Sequence, residues 1–201
     1  MTDTHEEPNL PREFELICKS CPDEKLFLAA IRVDNWNDDL SPWPAPPVFG
    51  KEAFGGRAAQ TLATLQTDIL PLVREKLAAQ GDARFLIGGY SLAALFALYA
   101  CCETDTFAAC AAASPSVWFP GWLDYARQHT MYPQTIYLSL GDREPCAKNS
   151  TMARVGNCIE AQARLLAGAG KTTTLAWEHG GHFKDSDQRT ARAFAWCIQH
   201  I

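Results

Sequence analysis

At 201 residues the chain has the length of one globular domain able to bury a sizeable core. Its 47% hydrophobic and 20% charged residues are those of a folded rather than a disordered protein. A formal net charge of -5, with no Lys/Arg cluster to overrule it, argues against a nucleic-acid surface.

The start, Met1 to Pro8, is acidic and lacks the basic residues and apolar run of a secretory signal. The expectation is a cytoplasmic protein whose eight cysteines are reduced thiols. Residues 1–12 read as a flexible tail and 13–201 as a single domain. Phe14–Cys18 is a short strand candidate, and Leu26–Val33 a stronger one. The gap between them is too short for a crossover helix, so they pair antiparallel or are not neighbours. Cys18 and Cys21 have the C-x-x-C spacing of redox and zinc sites. No second such pair accompanies them, so a closed zinc site lacks ligands and no metal is expected. Cys101, Cys102, Cys110 and Cys197 sit in apolar surroundings and read as small core residues.

Residues 34–47 come next, a stiff loop with Pro42, Pro44, Pro46 and Pro47 between and beyond Trp36 and Trp43. It leaves the C-terminal end of an expected strand, the edge where open α/β sheets bind ligands. Trp36 and Trp43 either touch ligand there or only pack the loop. From 52 to 79, Leu62, Leu65, Ile69, Val73 and Leu77 recur at helical spacing, with a kink expected at Pro71 and a stop at Gly81.

The centre of the chain is Phe85-Leu86-Ile87-Gly88-Gly89-Tyr90-Ser91-Leu92-Ala93, running on into an Ala/Leu-rich helical stretch. An apolar strand breaks at two glycines, presents one serine and continues as helix. Gly89-Tyr90-Ser91-Leu92-Ala93 is a variant of the G-x-S-x-G nucleophile elbow, with alanine in the last small position. Such a turn lifts the hydroxyl above the sheet and aims the next backbone N–H, that of Leu92, at a developing oxyanion. Alone the pattern is weak, and a buried serine in a helical hairpin would also satisfy it. Phe85 to Cys102 is also uncharged over the length of a spanning helix. Its glycine pair, its two tyrosines and its lack of a basic flank favour a buried strand and helix instead.

Phe107–Ala113 reads as a strand of small residues, running into Ser114-Pro115-Ser116-Val117-Trp118-Phe119. Thr135–Leu140 is a further strand, ending in Gly141-Asp142-Arg143-Glu144. A helix covers about 150–167. Thr173–Trp177 is the last strand, followed by Glu178-His179-Gly180-Gly181-His182-Phe183 and a closing helix over 187–200. Strands alternating with helices call for a mostly parallel sheet with helices on both faces, an α/β fold. The space between the strands at 107–113 and 135–140 holds only a short helix, so no large lid is expected.

Three strand ends thus carry serine, acid and histidine in that chain order, and a parallel sheet brings them to one edge. Of the two histidines, His182 is favoured as general base because glycines give it a free approach further beyond the strand. Asp142 and Glu144 both stand where an orienting carboxylate is needed.

The elbow, the Ser-Pro-Ser-aromatic loop, the Gly-x-x-acid turn and the Gly-His-aromatic loop together resemble the α/β-hydrolase branch that includes esterase D and enterochelin esterase. The resemblance runs from about Leu26 to the C-terminus. It implies a three-layer α/β-hydrolase-type fold and a serine esterase that needs no cofactor and acts on a small-molecule ester, with no membrane or nucleic-acid partner. By that resemblance Glu144, rather than the alternative Asp142, completes Ser91 and His182. Tyr90, Trp36, Trp43, Trp118 and Phe119 are then the expected substrate-binding residues, and Leu92 the first oxyanion donor. A thioesterase or peptidase would use the same residues, and a binding protein that has lost catalysis would keep only the fold.

Overall fold

The computed structural model describes residues 9–48, 50–78, 81 and 83–201. Small side chains decide the middle of the sheet. Strand β4 (Ala109–Ala113) is alanine and cysteine throughout and buried along its whole length. It lies between β3 (Leu86–Tyr90) and β5 (Thr135–Gly141), with β6 (Thr172–Glu178) beyond β5. All three pairings are parallel, and Ala109 stands opposite both Leu86 and Thr135. Two earlier two-residue strands, β1 (Pro44–Ala45) and β2 (Phe54–Gly55), form a separate antiparallel pair that the residue pattern did not announce.

With so little side chain on β4, helices approach closely from both sides. Helix α5 (Leu92–Glu103) packs on β3 and β4 and is buried from Leu92 to Cys102, too uniformly apolar to have a solvent face. On the opposite face α9 (Ser186–Gln199) places Ala193 and Cys197 against Ala109, Ala111 and Ala113. Helix α8 (Val155–Gly168) covers β5 and β6, after the short α7 (Ser150–Ala153). The result is helix, sheet, helix, an α/β fold with the C-terminal ends of β3 to β6 at one edge. Between β4 and β5 the only helix is α6 (Trp122–Gln128). Among the described residues no helix is long and apolar enough to cross a membrane.

The N-terminal third departs from expectation. Phe14–Cys18 is not a strand but the middle of helix α1 (Leu10–Ser20). Pro11 sits in its first turn, and Leu10, Phe14, Ile17 and Cys21 share a face at helical spacing. That periodicity outweighs the β-propensity of five residues, and α1 docks on α9. Of the tail expected over 1–12, residues 1–8 lie outside the described residues, and α1 begins at Leu10.

Among the described residues Leu26–Val33 likewise joins no sheet. It carries no regular secondary structure beyond a single bridge at Arg32, and Phe27 is 56% exposed. With α1 and β3 it walls an apolar groove of about 660 Å³. Side chains suited to a pleated surface do not make a strand unless a partner ladder meets them. β3 is therefore the outer strand of the sheet among the described residues.

The helix expected over 52–79 runs from Ala58 as α3 (Ala58–Thr64) and α4 (Leu70–Leu77), joined by a π-helical stretch at Leu65–Ile69. Pro71 stands in the first turn of α4, so its missing N–H falls where the widened turn makes room. A last short helix, α2 (Trp36–Leu40), is capped by the Asn35 side chain, which accepts from the Asp38 N–H.

Candidate active site

Ser91 stands between β3 and α5 with φ 59° and ψ -119°, a conformation costly for any residue but glycine. The surroundings hold it there. Its N–H donates to the Ala113 carbonyl at 3.1 Å, and its carbonyl accepts from Ser116 and Leu95. The turn also needs small neighbours, since a Cβ on Gly89 would lie 2.8 Å from the Ala93 Cβ. Leu92 opens α5, so its N–H is one of the four amides that the helix itself leaves without an acceptor.

The loop after β6 brings His182 over this serine. Its Nε2 lies 3.0 Å from Ser91 Oγ, and its Nδ1 lies 2.7 Å from Glu144 Oε2. Glu144 comes after β5 in a single 3-10 turn (Glu144–Cys146) started by Pro145, and it is buried. Its other oxygen, Oε1, accepts from the Gly141 N–H at 2.7 Å, Ser114 Oγ at 2.8 Å and Arg189 Nη1 at 3.2 Å. Burial pushes the Glu144 carboxyl up. The hydrogen bond and charge of His182, with the Gly141 and Ser114 donors, outweigh burial and hold it below the usual glutamate range. Gly141 has to be glycine, since a Cβ would fall inside the Gly180 carbonyl and 2.9 Å from Glu144 Oε1.

Asp142 is placed differently. Its Oδ1 accepts from the Gly180 N–H at 2.8 Å and its Oδ2 faces His179 Nδ1 at 3.2 Å, both side chains largely in solvent. The Gly180 N–H, then His179, hold the Asp142 carboxyl below its ordinary value. Each acid of the turn therefore meets one histidine of the loop. The inner pair reaches the serine and the outer pair ties the two loops together.

The five aromatic residues expected to bind substrate are scattered. Trp118 lines a cleft of about 240 Å³ beside His182, with Arg143, Met152, Val155 and Phe183. Tyr90 is buried behind the histidine loop, where its hydroxyl donates to the His182 carbonyl at 2.6 Å. Trp43 donates its indole N–H to the Pro120 carbonyl at 2.8 Å and packs on Phe119 and Tyr125. Phe119 is buried against Phe54, and Trp36 is half-buried against the same core. Trp43 and Phe119 thus fasten the proline-rich loop to the loop after β4. The C-x-x-C pair lies at the end of α1, where the Cys21 thiol is buried and points to the Ala195 carbonyl.

Sequence reasoning assigned no site role to Ser114, Met152 or Arg189. Arg189 is 1% exposed, although a charged residue on a closing helix ordinarily faces water. The available signal was its spacing, four and eight residues before Ala193 and Cys197 on the sheet-facing side of α9.

A parallel sheet between two helical layers, with a strained serine turn at its edge, is the α/β-hydrolase type of fold. Solved structures share it at low sequence identity. The siderophore hydrolase EstA of Aspergillus nidulans matches with a TM-score of 0.66 and 20% identity over 96% of this chain and 78% of its own. An IroE-like serine hydrolase of Shewanella oneidensis gives 0.63 and 17%, over 84% and 57%. The enterobactin esterase FES of Shigella flexneri gives 0.57 and 22%, over 71% of this chain but only 39% of its own. No protein-family profile matches the chain, and no curated protein does.

Proposed function

We propose that this chain is a serine hydrolase that cleaves a carboxylic ester through an acyl-serine intermediate. The observation that carries the proposal is the unbroken line from Ser91 Oγ through His182, at 3.0 Å, to Glu144, at 2.7 Å. His182 Nε2 takes the Ser91 proton as the hydroxyl oxygen attacks the ester carbonyl, and returns it to the departing alcohol. A water, activated by the same nitrogen, then releases the acid. Glu144 fixes the ring with its proton on Nδ1 and offsets the imidazolium that forms. The Leu92 N–H donates to the tetrahedral oxyanion. Ser91, His182 and Glu144 are the catalytic residues of this reading, and Trp118 and Phe183 flank the ester beside them.

The structures that share the fold include proteins described as siderophore hydrolases and an enterobactin esterase, which supports siderophore esters as the first substrates to assay. Thioesters and activated amides come next, since the same three residues would serve them.

The test is a fluorophosphonate probe followed by peptide mapping, with p-nitrophenyl acetate hydrolysis alongside. The expected result is label on Ser91 and none on Ser91→Ala, which keeps its fold and loses hydrolysis. An unlabelled wild-type protein, or a folded Ser91→Ala that retains most activity, would remove the serine mechanism.

A further inference from the structure

The buried cation behind the site is unused by the mechanism above. Arg189 rises from α9 beneath the strand ends, and its side chain is 1% exposed. Its Nη1 lies 3.2 Å from Glu144 Oε1, 3.1 Å from the Tyr90 hydroxyl and 3.5 Å from Ser114 Oγ, and its Nη2 lies 3.3 Å from the His179 carbonyl. One guanidinium therefore reaches the end of, or the loop beyond, each of the four strands β3, β4, β5 and β6.

We propose that Arg189 is the positioning residue of the Glu144–His182 pair: it fixes which carboxylate oxygen meets the ring and where the ring's backbone stands. The inference rests on the hydrolase reading above. The acid comes first. Glu144 Oε1 takes three donors, from Ser114, Gly141 and Arg189, which leaves Oε2 alone for His182 Nδ1. The histidine's backbone is reached by relay, because the Tyr90 hydroxyl that accepts from Arg189 donates to the His182 carbonyl at 2.6 Å. A third hold falls on the near end of the same loop, at the His179 carbonyl. The guanidinium's planar fork suits this task, since one rigid group addresses several acceptors at once.

Charge makes the hold consequential. Arg189 and Glu144 offset one another in the interior, where a lone ion would be costly. During turnover His182 becomes a cation against the same carboxylate, so Arg189 also limits how strongly that carboxylate retains the proton. Without it, the pair should keep its proton to higher pH. The other charged groups nearby are arranged around the rim or are already engaged. Asp142 pairs with His179, and Arg143, Lys184 and Asp185 are exposed. Asp187, two residues before Arg189, is held by Arg12 at 3.2 Å. Arg189 is absent from the lining of the cleft, so substrate affinity should not register its loss.

The experiment compares wild type, Arg189→Met, Arg189→Lys and Tyr90→Phe, each first shown to be folded by circular dichroism. It reads kcat and KM against pH, and the downfield proton signal of the His182 Nδ1–H in NMR. Arg189→Met is expected to lose at least about tenfold in kcat with KM near wild type. The acidic limb of its kcat/KM profile should move to higher pH, and its downfield signal should shift or vanish. Arg189→Lys should return the limb toward the wild-type pH while recovering only part of kcat, having an ammonium without the fork. If Arg189→Met does not fold, Tyr90→Phe carries the test, with kcat several-fold lower at an unchanged limb. A folded Arg189→Met with wild-type kcat, limb and signal overturns the proposal, as does a loss of kcat uniform in pH with the signal in place. So does a Tyr90→Phe of wild-type turnover where it is the only folded variant. The NMR readout needs no turnover. A wild-type chain that shows the signal but hydrolyses no ester would sink the hydrolase reading while still testing Arg189.

Discussion

Glu144 meets His182 through one oxygen only, with Oε2 2.7 Å from Nδ1, while three donors occupy Oε1. A carboxylate used up on one side and free on the other can set a tautomer. Glu144→Gln should therefore be severe. Its amide would turn either an N–H toward donors at Ser114, Gly141 and Arg189 or a donor toward the ring. Turnover is expected to fall on the order of 10³-fold or more, the scale seen when a serine protease loses its orienting carboxylate. Asp142→Asn should keep near-normal turnover and lose some thermal stability, because Asp142 serves the Gly180 N–H and His179. Steady-state kinetics on both folded variants checks the ranking. The reverse order would move the role to Asp142.

The same carboxylate makes folding stability fall with acid, and the sign comes from its environment. Glu144 is held below the ordinary value of 4.5 in the folded protein and titrates near that value once unfolded. Its contribution is therefore present above about pH 4.5 and is lost as pH falls through the lower folded value. Urea unfolding measured from neutrality to about pH 3 should show this decline, and Glu144→Gln should flatten it. A decline of equal steepness in the variant would assign acid sensitivity to other carboxylates, Asp142 among them.

What the chain discloses of its own structure divides by how local the cause is. From Phe85 onward the strands β3 to β5 are short, mostly apolar runs before turn residues, α8 and α9 show a helical period, and α5 is marked by its unbroken Ala/Leu content. The order of elements and the edge that gathers Ser91, Glu144 and His182 come from those signals and from parallel topology. The N-terminal third depended on partners instead. Leu26–Val33 has the side chains of a strand but no ladder among the described residues, and Phe14–Cys18 was too short for β-propensity to outweigh the helical face it shares with Leu10 and Cys21. The aromatic residues show the same limit. Composition marks Trp43 and Phe119 as unusual on loops, but only packing reveals that they face each other, at 5.9 Å, rather than the cleft. Arg189 was hidden for the opposite reason, since a charged residue on a closing helix ordinarily faces water.

The elbow offers a packing test that does not touch the chemistry. A Cβ on Gly89 would lie 2.8 Å from the Ala93 Cβ and 3.2 Å from the Ala93 carbonyl carbon. Gly89→Ala should therefore destabilise by roughly 1–3 kcal/mol, the range for overpacking a filled site. In the double variant Gly89→Ala/Ala93→Gly the closest clash is gone, so its loss should be smaller than the two single losses added together. Chemical denaturation of the four proteins decides it. Simple additivity would mean that the turn yields by shifting backbone.

If the chain is the ester hydrolase proposed above, the cleft beside His182 should set its acyl-chain preference. It holds about 240 Å³ and is closed in by Trp118, Met152 and Val155. That is below the volume range usual for drug-sized ligands, enough for a short or compact acyl group. Between β4 and β5 the chain supplies only α6, which Trp122 anchors in the core. Nothing inserted there resembles a lid that an oil–water interface could open. Soluble esters of short acids should therefore have the highest kcat/KM, with no jump in rate when substrate passes its solubility limit. Met152→Ala enlarges the cleft without approaching Ser91 or Glu144, and should move the optimum toward longer chains. Rates across a series of p-nitrophenyl esters, from acetate to decanoate, measure both effects. A wild-type protein that prefers emulsified long-chain esters would show that acyl groups bind elsewhere than in this cleft. A Met152→Ala variant with an unchanged chain-length profile would point the same way.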